Sequence, residues 1–417
     1  MSFSAPLEAV TDEAPARVDA RRQPLAWWAL GVAVASRLLI FAIGFVARSS
    51  LPILHPRVMI LAQPSVLYHG ALGRLLNGWA NLDAGWYLSI ARYGYVHRNG
   101  EAFFPLYPLL VHLLARSGLG YTLAGIAIAL ASFLAAATLL FRLTSDLLGN
   151  RVALWTVVFL SIAPTSFFFQ AIYTESLFLL LSIALFFFAH RNQWLLAGLM
   201  GLLATLTRST GVVLAVPLAL FYLQSVDWQW RRIRAGILAV LLVPCGLAIY
   251  MAYLWRTFDN PLLFADAEQR WRRYFALPYV TAWQALKDGY WEAAQVVAHG
   301  HLSHLPAHLW QGNTGVFNLT NLVVLIVAVV LIALGWRRLG APYNSYAVLA
   351  VLFMLCNPAA RQPLASLPRY ALVVFPLYMA LAACTQRRPL IRWLVVSVCL
   401  VGLAWLTARF VLFAWVA

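Results

Sequence analysis

Apolar runs of about 17 to 25 residues recur from residue 27 to the end of the chain. That is the length a helix needs to cross a hydrocarbon layer roughly 30 Å thick. Within lipid the backbone has no water to bond, so segments of this kind can cross only as helices or as strands of a closed barrel. The expectation is an all-α polytopic integral membrane protein with about eleven transmembrane helices, at residues 27–46, 121–141, 152–171, 175–189, 194–207, 210–224, 235–255, 315–335, 343–356, 370–384 and 390–412. Residues 1–26 mix acids, arginines, prolines and small residues without periodicity and read as a disordered cytoplasmic tail. Residues 27–417 read as a single transmembrane domain, interrupted by long loops at 47–120 and 256–314. Five prolines and several arginines and tryptophans break up the first loop, so short interfacial helices are expected there.

The charge pattern sets orientation. The formal net charge is +16, but the arginines cluster at the ends of apolar segments rather than on one continuous face, which argues topology and not nucleic-acid binding. Arg142 and Arg151, Arg191, Arg231 to Arg234, Arg337-Arg338 and Arg387-Arg388 fall in alternate short loops, which become cytoplasmic. The N-terminus is then cytoplasmic too, the long loops are extracytoplasmic, and the expected location is the plasma membrane. The four cysteines show no Cys-x-x-Cys spacing, so neither a disulfide framework nor a zinc knuckle is supported.

With 63% hydrophobic residues and fourteen acids, most carboxylates are expected in loops, because desolvating one is costly. Asp83 stands among aromatics in Asn81-Leu82-Asp83-Ala84-Gly85-Trp86-Tyr87, and partial desolvation there would raise its proton affinity and suit it to act as a general base. A plain helix cap at Ala84 is the competing reading. Glu175, in Tyr173-Thr174-Glu175-Ser176, emerges on the same face, either as part of a helix start or as a partner that shares a divalent cation, Mg²⁺ or Mn²⁺, with Asp83. Arg208 interrupts a long apolar stretch and needs an anionic partner: a phosphate suits it, and a turn reaching the headgroups is the alternative. Arg361 and Arg369 sit on a short external loop against the positive-inside trend, which also fits a phosphate. His299, His301, His304 and His308 read as a solvated loop in preference to a metal site. No P-loop, dinucleotide-binding turn or His-Glu-x-x-His occurs, so a lipid-linked phosphate donor fits better than a nucleotide.

Taken in order, the Asp83 segment, Phe103-Phe104-Pro105, Ile172-Tyr173-Thr174-Glu175-Ser176, Thr207-Arg208-Ser209-Thr210-Gly211 and Asn260-Pro261-Leu262-Leu263-Phe264 resemble the glycosylphosphatidylinositol mannosyltransferase II (PIG-V-like) family of GT-C glycosyltransferases. The resemblance implies a GT-C fold and an inverting transfer of mannose from a polyprenyl- or dolichyl-phosphate-mannose donor, at the extracytoplasmic face, to a lipid, glycan or protein acceptor. It implies Asp83 as base and Arg208 and Arg369 around the donor phosphate, which Arg361 would join on the strength of its loop position. Glu175, Trp86, Tyr87 and Tyr173 would bind substrate or orient a metal. Leu82 stands where the family often has Trp, and Thr210 where it often has Asn. A transporter or lipid flippase without transferase chemistry is the alternative, and it predicts internal repeats and mid-bilayer charges.

Overall fold

The computed structural model describes residues 22–53, 68–298, 317–360, 362–414 and 416. Among them the regular structure is helical: α1 (Arg22–Ser50), α2 (Gly70–Leu76), α3 (Ala84–Tyr93), α4 (Leu106–Leu114), α5 (Tyr121–Leu148), α6 (Asn150–Ile162), α7 (Glu175–Ala189), α8 (Trp194–Thr207), α9 (Ala215–Ser225), α10 (Ala239–Phe258), α11 (Leu263–Ala267), α12 (Pro278–Ala298), α13 (Phe317–Leu339), α14 (Ala341–Leu355), α15 (Leu367–Leu372), α16 (Phe375–Thr385) and α17 (Pro389–Val411). Each of the eleven expected apolar runs contains a helix. Five helical segments among the described residues are long and apolar enough to cross a membrane: 25–50, 121–148, 235–258, 318–339 and 389–411. The other runs form shorter apolar helices.

Two expected crossings are corrected. The run 152–171 does not stay helical, because α6 stops at Ile162. Pro164 lacks an N–H and forces Ala163 out of the helical region, to φ −50° and ψ 142°. At about 1.5 Å per residue, α6 is roughly 20 Å long, short of the bilayer core. Residues 163–174 complete the path as a 3₁₀ turn, Ser166–Phe169, and irregular backbone. Such backbone needs protein partners inside a membrane. Arg37, buried in α1, donates from Nη1 to the Ser166 carbonyl (2.6 Å) and from Nη2 to the Ser161 carbonyl (2.9 Å). Ser161 lies in the last turn of α6, so this guanidinium also faces the negative end of that helix. The second correction lies at 370–384, where the helix breaks at Val374 ahead of Pro376. The short helix α15 that results carries Arg369.

α7 lies inside the bundle: it is apolar on every side and buried along most of its length. At α8 and α10, glycines permit close approach: a Cβ on Gly198 would meet the Ala239 carbonyl, and one on Gly246 the Leu202 carbonyl. The first loop forms short helices, α2 to α4, as expected. Phe104 packs on Tyr250 of α10 (centroids 4.8 Å apart) and on Phe264 of α11 (5.6 Å). The Phe-Phe-Pro and Asn-Pro-Leu-Leu-Phe segments therefore meet over one end of the bundle.

Candidate active site

Asp83 enters the site from a strained turn. Leu82 adopts φ 53°, a left-handed conformation that costs a leucine about 1–2 kcal/mol. Asn81 offsets this by accepting the Leu82 N–H on Oδ1 (2.8 Å) and donating from Nδ2 to the Phe410 carbonyl of α17 (2.8 Å). The chain turns here into α3, with Asp83 at the position before its first residue. No side-chain hydrogen bond from Asp83 caps that helix. Its carboxylate instead accepts from Nη1 of Arg369, while its backbone N–H donates to the Tyr173 hydroxyl (3.2 Å). Tyr173 in turn donates to the Asn81 carbonyl (3.0 Å).

Glu175 is the first residue of α7 and its side chain is fully buried. A carboxylate in that position needs charge partners. Oε1 has two: it accepts from Arg208 Nη1 (2.8 Å) and from Arg369 Nε. Asp83, Arg369, Glu175 and Arg208 are therefore linked in one alternating sequence of charges. At one end the Asp83 side chain remains 25% exposed. Arg208 reaches inward to Glu175 rather than outward to headgroups, so its partner within the protein is a carboxylate. The guanidiniums also stack on rings, Arg369 over Tyr173 (4.5 Å) and Arg208 over Tyr370 (4.7 Å).

The charge sequence borders a cleft of about 120 Å³ lined by Asp83, Tyr87, Phe103, Arg208, Arg369 and Tyr370, among others. Tyr87 lines it and bonds Thr174 Oγ1 through its hydroxyl (3.3 Å). Trp86 is buried behind it, stacked on Phe103 (5.6 Å) and set edge-on to Trp271 (6.2 Å). Burial pushes the Tyr87 hydroxyl well above the ordinary phenol range, so it stays protonated and available as a donor. Arg361 and the four histidines lie outside the described residues. Asp83 and Glu175 sit on either side of the Arg369 guanidinium, which brings positive charge to the place a shared divalent cation would take. Among the described residues no group of three or more His, Cys, Asp or Glu side chains is placed to hold a metal ion.

Sequence reasoning missed one wall of this cleft. Glu268, Trp271 and Arg273 come from the second long loop, and Asn357 from the loop after α14. The signal was the run Glu268-Gln269-Arg270-Trp271-Arg272-Arg273, dense in charge within an apolar chain. The two loops pair through Tyr274 N–H to the Pro358 carbonyl, Ala276 N–H to the Cys356 carbonyl and Ala360 N–H to the Arg272 carbonyl, each 3.1 Å. Burial pushes the Glu268 carboxyl above the usual carboxylate range, against the opposing pull of Arg273.

Comparison with known proteins supports a common ancestry. Over 258 residues the chain is 28% identical to GPI mannosyltransferase 2 of Drosophila melanogaster, covering 55% of this chain and 57% of that protein. Over 210 residues it is 30% identical to GPI alpha-1,6-mannosyltransferase 2 of Cricetulus griseus, covering 45% and 42%. The aligned region thus spans about half the length of these curated relatives. Among solved structures, ArnT from Cupriavidus metallidurans bound to undecaprenyl phosphate superposes with a TM-score of 0.49 at 14% identity, over 86% of this chain and 60% of that one. A sequence profile described as mannosyltransferase (PIG-V) matches residues 30–294, a span that holds Asp83, Glu175, Arg208 and Arg273 and ends before Arg369. The chain belongs to the PIG-V mannosyltransferase family.

Proposed function

We propose that the chain transfers mannose from a polyprenyl-phosphate-mannose donor to a hydroxyl of a lipid, glycan or protein acceptor at the extracytoplasmic face, with inversion at the anomeric carbon. Asp83 takes the acceptor proton as that oxygen attacks the anomeric carbon, and the bond from that carbon to the phosphate oxygen breaks with its electron pair leaving on phosphate. A single displacement of this kind inverts configuration. Arg369 fixes the Asp83 carboxylate, and through Glu175 and Arg208 it is anchored to the bundle interior. The positive charge of Arg208 and Arg369 at the cleft favours the phosphate that develops there. Glu175 acts by orienting both arginines.

The observation that carries this reading is the partly exposed Asp83 carboxylate, held at an open cleft by a guanidinium that also bonds a fully buried acid. Family membership supports mannose as the sugar. The arginines support the extracytoplasmic assignment: Glu175 opens α7, whereas Arg191 follows its other end, and Arg338 lies by Cys384 at the far end of α16 from Arg369. Protein purified into liposomes with labelled polyprenyl-phosphate-mannose and a panel of acceptors tests it. Asp83→Asn is expected to slow turnover by about 10²- to 10⁴-fold. Unchanged turnover removes the base, and a product of retained configuration removes the single displacement.

A further inference from the structure

Three guanidiniums border the cleft, and their partners differ. Arg369 is joined to both Asp83 and Glu175, and Arg208 to Glu175. Arg273 donates from Nη1 to the Asn357 carbonyl (2.8 Å) and from Nη2 to the Ala365 carbonyl (3.2 Å), both neutral acceptors. Its contact with a carboxylate is Nε to Glu268 at 3.5 Å, long for an N–H···O bond. A guanidinium carries five N–H groups, two on each Nη, so the geometry leaves a second hydrogen on each Nη beyond those two bonds.

The position of Arg273 adds a second observation. Its guanidinium carbon lies 5.6 Å from the centroid of Tyr370, and that of Arg208 lies 4.7 Å from the same ring. Glu175 pairs with Arg208 and Glu268 with Arg273, and a phosphate in the cleft can accept from the remaining donors of both forks. The Arg273 side chain helps tie the two loops through the Asn357 and Ala365 carbonyls, and three backbone hydrogen bonds pair 272–276 with 356–360 independently of it. Beyond Arg273 the chain presents exposed aromatics to the outside: Phe275 at 78%, Tyr279 at 70% and Trp283 at 69% exposure. Aromatic rings of this kind seat at a membrane interface. Arg273 therefore stands between the reacting cleft and a surface suited to lipid.

We infer that Arg273, which converges with Arg208 on the Tyr370 ring, binds the phosphate of the lipid-linked donor directly, while Arg369 serves to position Asp83. This rests on the transferase reading above for the identity of the anion. Phosphate that is carried on an isoprenoid reaches this place from the aromatic face; free phosphate has no such anchor.

The test is binding of undecaprenyl phosphate to the full chain in phosphatidylcholine nanodiscs, alongside steady-state kinetics. Arg273→Gln is expected to weaken undecaprenyl phosphate binding about 10- to 100-fold and to raise the donor KM with the acceptor KM unchanged. Arg273→Lys keeps the charge without the fork, and is expected to bind between the two. It also serves should the glutamine variant fail to fold. Undecaprenol, lacking phosphate, is expected to bind wild type and variants alike, and millimolar inorganic phosphate is expected not to compete. Wild-type affinity for undecaprenyl phosphate in both variants overturns the inference, as does a parallel loss for undecaprenol or full competition by inorganic phosphate. Binding needs no turnover: weakened binding in a protein that transfers no mannose sinks the transferase reading and leaves the phosphate site. Unchanged binding in an active enzyme does the reverse.

Discussion

Arg369 and Glu175, 194 residues apart in the chain, meet through Nε and Oε1 at the buried start of α7, and the same guanidinium reaches Asp83 with Nη1. One side chain thus connects an acid with no solvent exposure to an acid that borders the cleft. The order of burial suggests the division of labour: the inner acid fixes the arginine, and the arginine fixes the outer acid.

Glu175→Gln leaves two guanidiniums without their buried carboxylate, and breaking a buried pair in this way costs about 3–5 kcal/mol. The double variant Glu175→Gln/Arg208→Gln is expected to lose less than the sum of its parts, with a coupling of about 0.5–3 kcal/mol in a thermal unfolding series. Strict additivity would show that the two side chains do not interact.

Gly211 ends the Arg208-Ser209-Thr210-Gly211 motif for a steric reason. A Cβ there would lie 2.6 Å from the Cα and N of Thr205, which are backbone atoms of α8 that cannot move aside. Gly211→Ala is expected to destabilise by about 1–3 kcal/mol and to lower turnover by displacing Arg208. Gly31, with nothing within 4 Å of its would-be Cβ, is the control. Gly31→Ala is expected to hold or gain about 0.5–1 kcal/mol, as an alanine within a helix does. A wild-type melting temperature and rate in Gly211→Ala would contradict this packing.

Arg37 tests the irregular segment after α6. Arg37→Met fills a similar volume but removes the donors to the Ser161 and Ser166 carbonyls. The Ser166 carbonyl is then stranded, at an expected cost of about 1–3 kcal/mol, whereas the Ser161 carbonyl keeps the Ser166 hydroxyl as a donor (2.6 Å). Turnover should fall with stability, because the same segment leads into Phe168, Tyr173 and Glu175. If the methionine variant unfolds at the wild-type temperature, the guanidinium is not what holds this backbone in place.

Glu268 gives stability a pH dependence. It faces Arg273, Asp83, Arg208 and Arg369, yet burial dominates and pushes its carboxyl above the usual range. The folded protein then holds this proton more tightly than the unfolded chain does. Its contribution is complete below the ordinary glutamate pKa of about 4.3 and is lost as pH rises through the raised value. Melting curves from acid to neutral pH are expected to show Glu268→Gln gaining on wild type as pH rises. A gap that narrows instead would mean that Arg273 outweighs burial.

That each long apolar run holds a helix is legible in the sequence because lipid leaves such a run few conformations, although only five of the described helical segments are long and apolar enough to cross. Asp83 and Glu175 were legible for a related reason, as few carboxylates survive in so apolar a chain unless something compensates them. Arg208 was recognised as a cation in need of a partner, and the partner expected was a ligand. The structure supplies Glu175, 33 residues earlier, a pairing that no local spacing encodes.

Local sequence determined which segments are apolar enough for lipid and, through Pro164, where α6 ends, since hydration cost and backbone geometry act on each segment separately. Tertiary structure decided how the irregular backbone after Pro164 is held, through Arg37, and which distant charges neutralise one another. It also decided that the loop carrying Arg273 closes one wall of the cleft. Those outcomes depend on the free energy of burying several groups together, and that energy is set when the segments pack.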